Sequence, residues 1–262
     1  ALGGDREDLS FAVLDEDRIV GICPLLREGD RITFEGEPGA WPLVIDASSA
    51  RVVREELSRF KYQASFRSCP LVVPPPMTPP IARFFRVGWY SRVLDLERPL
   101  EDLRAKIRRS YKSLINRAFD RFEFLSGHAE WLIKAYSVTH RQALGARPEA
   151  TYAMQMRWAE EGHAFAVGAR NVRTCEWAAF AYVFTYKAQA YYSSGPSLVY
   201  GAMHGVLWRA ISEAAALGCA RFELGWQGHA QNTKGRGVEH FKAGFGGEDV
   251  PVLVAEVPCA SS

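Results

Sequence analysis

Hydrophobic and polar positions change period several times along this chain, and each change marks an element. The strongest signal spans residues 177–247. Residues 177–186 are a near-continuous apolar and aromatic run, and residues 188–193 follow after one lysine, so two paired strands joined by a tight turn are predicted. From Ala202 onward the period becomes helical: Met203, Val206, Leu207, Ala210, Ile211, Ala214 and Ala215 share a face, and Gly218 stands where a helix ends. Residues 219–224 form a short strand-like run. This strand, helix, strand order predicts two parallel strands with the helix crossing between them.

Upstream, the pattern is patchier. Residues 9–14, 18–26 and 31–34 are strand-like, with the acidic turn Asp15-Glu-Asp17 between the first two; residues 50–60 read as a helix and 71–73 as a strand stopped by prolines. Residues 74–80, with five prolines, exclude a helix interior or central strand and read as a linker, a surface turn or a rigid groove wall. After a strand over 90–96, one helical face carries Leu103, Ile107, Tyr111, Leu114, Ile115 and Ala118, flanked by Arg104, Lys106, Arg108, Arg109, Lys112, Arg117 and Arg121. Two readings of those cations stay open, a solvated face or phosphate contact. A strand over 121–125, a helix over 129–143 with Trp131, Leu132, Ala135 and Val138 inward, a helix over 152–161 and a strand over 164–169 complete the pattern. Gly145-Ala-Arg-Pro148 separates those two helices, and Arg147 sits either on a surface loop or against a cleft.

Composition bounds the class. At 262 residues, 48% hydrophobic and 24% charged, the chain can bury one large core or two small ones and is neither collagenous nor coiled coil. No apolar run approaches the roughly 20 residues of a membrane helix, and no basic-then-apolar leader opens the chain, so a cytoplasmic location is expected. Five scattered cysteines without a C-x-x-C pair argue against a disulfide framework, and six histidines without ligand spacing argue against a metal. A G-x-S-x-G elbow, a P-loop and a G-x-G-x-x-G fingerprint are all missing. The net charge of +2 does not by itself require a polyanionic partner.

The most specific text is Lys234-Gly-Arg-Gly-Val-Glu-His-Phe-Lys-Ala-Gly-Phe-Gly-Gly247. Five glycines and four basic or imidazole side chains suggest an anion site, with backbone amides and cations converging on an oxyanion. Together with Tyr191-Tyr-Ser-Ser-Gly195 and the helix after it, this stretch resembles the Fem family of aminoacyltransferases within the acetyltransferase (GNAT) superfamily, whose members close with a similar Phe-Lys-x-Gly-Phe-Gly element. The likeness covers residues 94–256. It implies an α/β fold, a GNAT-like mixed sheet with flanking helices, in two GNAT-like subdomains at residues 1–98 and 99–262. It also implies acyl transfer that forms an amide on an amino-bearing acceptor. Arg108-Arg-Ser-Tyr-Lys112 resembles the basic helix of such proteins, implying a phosphorylated or nucleic-acid ligand. Residues 194–203 lack the Arg/Gln-x-x-Gly-x-Gly/Ala loop of coenzyme-A-dependent members. Aminoacyl-tRNA is therefore the expected donor, acyl-CoA the alternative, and a non-catalytic RNA or phosphate-ligand module a third reading; no tightly bound cofactor is expected. The acceptor is a small molecule or peptide with a free amine. A length below that of the usual peptidoglycan-bridge enzymes, without a helical-hairpin arm, favours a small one.

Such a reaction orients an amine, removes its proton and stabilises an oxyanion. Lys242 is the candidate for the last task, with a plain surface lysine as the alternative. His204, in the first turn of a helix that disfavours its charged form, and Glu223, near a strand end, are candidate bases. A packing histidine and an ion pair with Arg221 or Arg236 are the competing readings. Tyr192, Ser193, Trp226, Gln227 and Phe241 are candidate substrate contacts. Arg104, Arg108, Arg109, Lys112, Lys234 and Arg236 are candidate contacts to tRNA phosphates.

Overall fold

A computed structural model describes residues 6–23, 26–28, 31–33, 43–44, 47–58, 63–68, 84–227 and 232–257. The chain divides into two compact units, Ala1–Tyr90 with Val250–Ser262, and Ser91–Asp249. Sequence placed the boundary at residues 98 and 99; by compactness it falls between Tyr90 and Ser91, and the C-terminal segment from Val250 goes with the first unit.

In the first unit lie β1 (Arg6–Asp8), β2 (Phe11–Asp15), β3 (Arg18–Cys23), β4 (Leu26–Glu28), β5 (Arg31–Thr33), β6 (Leu43–Val44), α1 (Ala47–Ser58) and β7 (Gln63–Ser68). Strands β2 and β3 form a hairpin around the acidic turn, where Glu16 takes a φ of 52°, and β6 extends them into a three-stranded sheet. Strands β1, β4, β5 and β7 are neighbours in that order in another sheet. The expected strand at 71–73 and the proline run at 74–80 lie outside the described residues.

Next along the chain come β8 (Phe84–Asp95), α2 (Leu100–Lys106), α3 (Arg109–Arg121), β9 (Phe122–Gly127), α4 (Glu130–Leu144), α5 (Glu149–Glu160), β10 (Ala164–Asn171), β11 (Trp177–Tyr186), β12 (Gln189–Ser194), α6 (Ala202–Ala216), β13 (Arg221–Gln227), α7 (Thr233–Ala243) and β14 (Glu248–Val257). The strands form a mixed seven-stranded sheet ordered β14-β8-β13-β12-β11-β10-β9. Strands β11 and β12 are the predicted hairpin, turning at Lys187, and β12 runs parallel to β13 with α6 between them in the chain.

Helices cover both faces of this sheet. On one face Ile115 and Ala118 of α3 and Val206, Leu207, Ala210 and Ile211 of α6 pack on Val167, Ala181, Val183, Phe222 and Leu224. On the other, Leu132, Ile133 and Tyr136 of α4 and Ala159 of α5 meet Ala166, Phe180 and Tyr182.

Two expectations change. The single basic helix is two helices: Ile107 is extended (φ −62°, ψ 139°), and the amide of Arg108 donates to the carbonyl of Gly244 at 2.9 Å instead of continuing α2. Helix α4 also presents a different face from the one its apolar residues suggest. Trp131 and Val138 are exposed, while Leu132, Ile133 and Tyr136 are buried together with the polar Ser137, Thr139 and His140. Ser137 and Thr139 satisfy themselves by donating to the carbonyls of Ile133 and Ala135, both at 2.9 Å, which lets a polar face turn inward.

Candidate functional site

The pairing of β12 with β13 runs from Gln189↔Arg221 to Tyr191↔Glu223. Both strands continue past that point, to Ser194 and Gln227. A bulge interrupts β12 there: Tyr192 pairs with Val183 but Ser194 pairs with Tyr182, leaving Ser193 as the extra residue. Bulges bend a strand, and the carboxyl ends of parallel strands are where open α/β sheets receive ligands.

Helix α7 brings Lys242 to this place. Gly225, on β13, adopts a φ of 78°, and a Cβ there would lie 3.3 Å from Lys242 Nζ and 3.5 Å from Tyr191 Oη. An ammonium and a phenol thus both lie over this bare stretch of backbone. By its register with Tyr191, Glu223 projects from the same sheet face. It is buried, and its Oε1 accepts a 2.5 Å hydrogen bond from Ser91 Oγ.

The placement of Lys242 depends on how α7 is seated. Its start is capped by Asn232, whose side chain accepts from the Gly235 amide at 2.8 Å. Beyond its last residue the Tyr111 ring lies on Gly244 with no room for a Cβ. His204 sits edge-on to Tyr111 and Phe241, at 4.5 and 5.1 Å between ring centres, and stacks on Phe245 at 6.3 Å. Burial holds the His204 pKa below its ordinary value, so the imidazole is neutral, and its Nδ1 has no hydrogen-bond partner. Arg108 lies over Tyr111 and meets His240 Nε2 at 2.5 Å, tying α3 to α7 a second time.

The remaining sequence candidates scatter more widely. Tyr192 packs against the α3–α6 core, its hydroxyl fills the place of a Gly195 side chain, and burial raises its pKa. Ser193 is the bulge residue. Trp226 is 37% exposed, and Gln227 is buried with its amide donating to the Glu239 carbonyl at 3.3 Å. Phe241 belongs to the aromatic group around His204. Lys234 and Arg236 are exposed in the first turns of α7. The expected cradle of glycine amides takes another form: the amides of Gly235, Gly244 and Gly246 already donate to Asn232 Oδ1, the His240 carbonyl and the Ala243 carbonyl, because the stretch is a helix and its cap.

Among the basic residues of α2 and α3, Arg104 donates to Asn116 at 2.5 Å and covers Trp208, and Lys112 donates to the Ala105 carbonyl at 2.8 Å. Arg109 is exposed. These partners are neutral. Among the described residues no carboxylate pairs with Arg104, Arg108, Arg109 or Lys112, so the face keeps its positive charge.

Sequence reading passed over Tyr191 and Ser91. Tyr191 was visible in the motif, but choosing it over Tyr192 requires the register with Glu223, which no local pattern supplies.

No protein-family model and no curated protein matches the chain. Among solved structures it matches FemX with a TM-score of 0.63 at 10% identity, over 95% of this chain and 88% of that one. It matches L-PGS from Bacillus licheniformis at 0.68 and 11%, over 92% and 82%. A GNAT-family acetyltransferase from Colwellia psychrerythraea follows at 0.51 and 11%, over 95% and 85%. The fold is the GNAT-type fold of Fem-like proteins. Within this Fem-like fold, the parallel pair β12–β13 and helices α6 and α7 hold all three candidate catalytic residues. Among the described residues no helix is long and apolar enough to cross a membrane.

Proposed function

We propose that this protein is an acyl-group transferase that forms an amide, moving an amino acid from aminoacyl-tRNA to the free amine of a small peptide or cell-wall-type precursor. The observation that carries this reading is the convergence of Lys242 Nζ and Tyr191 Oη beside Gly225, at the end of the β12–β13 ladder. Attack of the amine on the ester carbonyl forms a C–N bond and puts negative charge on the former carbonyl oxygen. A fixed ammonium and a hydroxyl donor stabilise that charge more than they stabilise the uncharged ester. Collapse breaks the C–O bond, and the proton lost by the amine ends on the ribose oxygen that leaves. Glu223 is the proton acceptor in this scheme. His204, enclosed by three aromatic rings, positions α7.

Two observations favour tRNA over acyl-CoA as donor. The amides leading into α6, where a pyrophosphate loop would stand, are already bonded: Leu198 and Val199 to the Ala178 carbonyl, Ala202 to Val199 and His204 to Gly201. The α2–α3 cations, by contrast, carry charge that no acidic side chain among the described residues balances. The test is incubation with charged tRNA or acetyl-CoA and a pool of amines, read by mass spectrometry. An aminoacyl mass that ribonuclease abolishes is expected. An acetyl mass would move the donor to coenzyme A, and no transfer from either would overturn the reading.

A further inference from the structure

One buried hydroxyl beside the site has no part in the transfer scheme. Ser91, on β8, is 1% exposed, whereas the buried residues that follow it on the strand, Val93 and Leu94, are apolar. Strand β8 is the neighbour of β13 on the side away from β12. Glu223 therefore stands between two other strands: its register partner on β12 is Tyr191, and from β8 the Ser91 Oγ donates to its Oε1 at 2.5 Å. Phe222 and Leu224, on either side of it, face the α3–α6 core, so Glu223 projects from the opposite face of the sheet. Gly225, over which the Lys242 ammonium and the Tyr191 hydroxyl lie, is two residues further along. A buried serine, a buried carboxylate and the two candidate oxyanion donors thus occupy one short row across β8, β13 and β12.

The chemistry of that hydrogen bond decides what the serine is for. A carboxylate that is 6% exposed has lost most of its hydration, and a donor aimed at one of its oxygens replaces part of it. A hydrogen bond to an ionised acceptor is about twice as strong as one between neutral groups, so the serine favours the carboxylate over the carboxylic acid. A hydroxyl also does what an N–H cannot. It carries both a proton and lone pairs, so once the carboxyl has taken up a proton the two groups can stay bonded with their roles reversed. In the transfer scheme Glu223 takes the amine's proton as the C–N bond forms and gives it up to the leaving ribose oxygen, while Ser91 keeps its own. A partner that serves both charge states holds the carboxyl in place throughout. The other titratable or charged groups around Glu223 are Tyr191 on β12, Lys242 on α7, Arg221 on the same face of β13, and Arg92 beside Ser91, which is held by both oxygens of Asp249. None of them is altered by a change at Ser91, and α6 lies on the opposite face.

We propose that Ser91 is a positioning residue for the transfer, holding Glu223 ionised and in one orientation. That role rests on the acyl-transfer reading; the hold of the hydroxyl on the carboxylate does not. Two measurements on the intact chain separate them. One is a carbon-13 NMR titration of the glutamate side-chain carboxyls, with the Glu223 signal identified by its loss in Glu223→Gln; the other is the pH dependence of single-turnover transfer from aminoacyl-tRNA. In Ser91→Ala the Glu223 titration is expected to move up by about one pH unit, a tenfold gain in proton affinity, and the acid limb of the rate profile is expected to move up with it. Ser91→Cys, close in size but a weaker donor, should shift both in the same direction by less, and it stands in if the alanine variant does not fold. Loss of a merely structural contact would instead lower the rate alike at every pH. An unmoved Glu223 titration in the folded variants overturns the proposal, and so does a moved titration with the acid limb left in place in an active enzyme. A moved titration with no transfer by any form, wild type included, keeps the hold of Ser91 on Glu223 and removes the transfer reading.

Discussion

The two faces of the seven-stranded sheet are built on different terms. Toward α3 and α6 the centre of the packing is apolar, with Ile115, Val167, Ala181, Val183, Val206, Leu207, Ile211, Phe222 and Leu224 all at 0% exposure, and His204 is the buried polar side chain at its edge. Toward α4 and α5 the core is smaller and its far part is polar, with hydroxyls, an amide and an imidazole buried. A buried methylene contributes to stability wherever it packs, but a buried polar atom does so only with a partner. The first face is therefore held chiefly by apolar burial, and the second by a smaller apolar core joined to a buried polar group.

The largest expected effect contrasts the faces directly. Phe222→Ala should destabilise the protein by about 3–5 kcal/mol in denaturant unfolding, because the cavity lies in an apolar layer packed on every side. Ser194→Ala should change stability by about 1 kcal/mol or less, the scale of its hydrogen-bonding interaction with the Tyr136 hydroxyl. A Ser194→Ala loss as large as a core truncation would show that the α4–α5 face is ordinary packing.

Next comes the reaction itself. Lys242→Ala should lower turnover by about a hundredfold or more, the scale for losing one preorganised donor to an oxyanion, with much less effect on donor affinity. Lys242→Arg should rescue poorly because a planar fork does not reproduce a compact ammonium over Gly225. Single-turnover rates near normal in folded Lys242→Ala, at saturating donor, would leave α7 as a closure of the sheet.

Each face also holds one buried histidine whose pKa is depressed, His204 by burial among aromatic rings and His140 by burial and Arg147. Above about pH 6.5 both are neutral whether folded or not, and the folded state loses nothing. As pH falls below that value the unfolded chain takes up protons that the folded chain resists, so stability falls, by up to about 1.4 kcal/mol per pH unit for each histidine. His204→Phe and His140→Gln should each flatten the decline between pH 7 and 5. An unchanged slope in His204→Phe would mean that the folded imidazole takes up its proton as readily as the unfolded one.

Much of this was legible in the sequence where local pattern and tertiary fate agree. The β11–β12 hairpin and α6 follow from periodicity because apolar residues there are buried on the faces that period assigns. Helix α4 misleads for the opposite reason: Trp131 and Val138 look inward by composition, yet His140 and Ser137 occupy the buried stripe because their polar atoms find partners in the Tyr152 hydroxyl and the Ile133 carbonyl. The break at Ile107 was invisible because its cause, the Arg108 amide on Gly244, lies far along the chain. Lys242 could be singled out from a motif, whereas Tyr191 needed strand register and Ser91 needed the neighbour relations of β8 and β13.

The smallest expected effect lies on the basic face, and it distinguishes cations kept for a ligand from cations kept for the fold. If Arg104, Arg108, Arg109 and Lys112 meet tRNA phosphates, each alanine substitution should weaken tRNA binding and reduce the slope of log affinity against log salt by about one unit. The four differ in what else they lose. Arg109 is exposed, so Arg109→Ala should act on binding alone. Arg108→Ala also releases His240 and uncovers Tyr111, so it should disturb the seat of α7 and lower turnover as well. Filter binding at several salt concentrations, with unfolding measured in parallel, reads both quantities. If Arg109→Ala leaves the salt slope unchanged while Arg108→Ala lowers turnover, the basic helix serves to hold α7 in place, and the donor's phosphates must be met elsewhere.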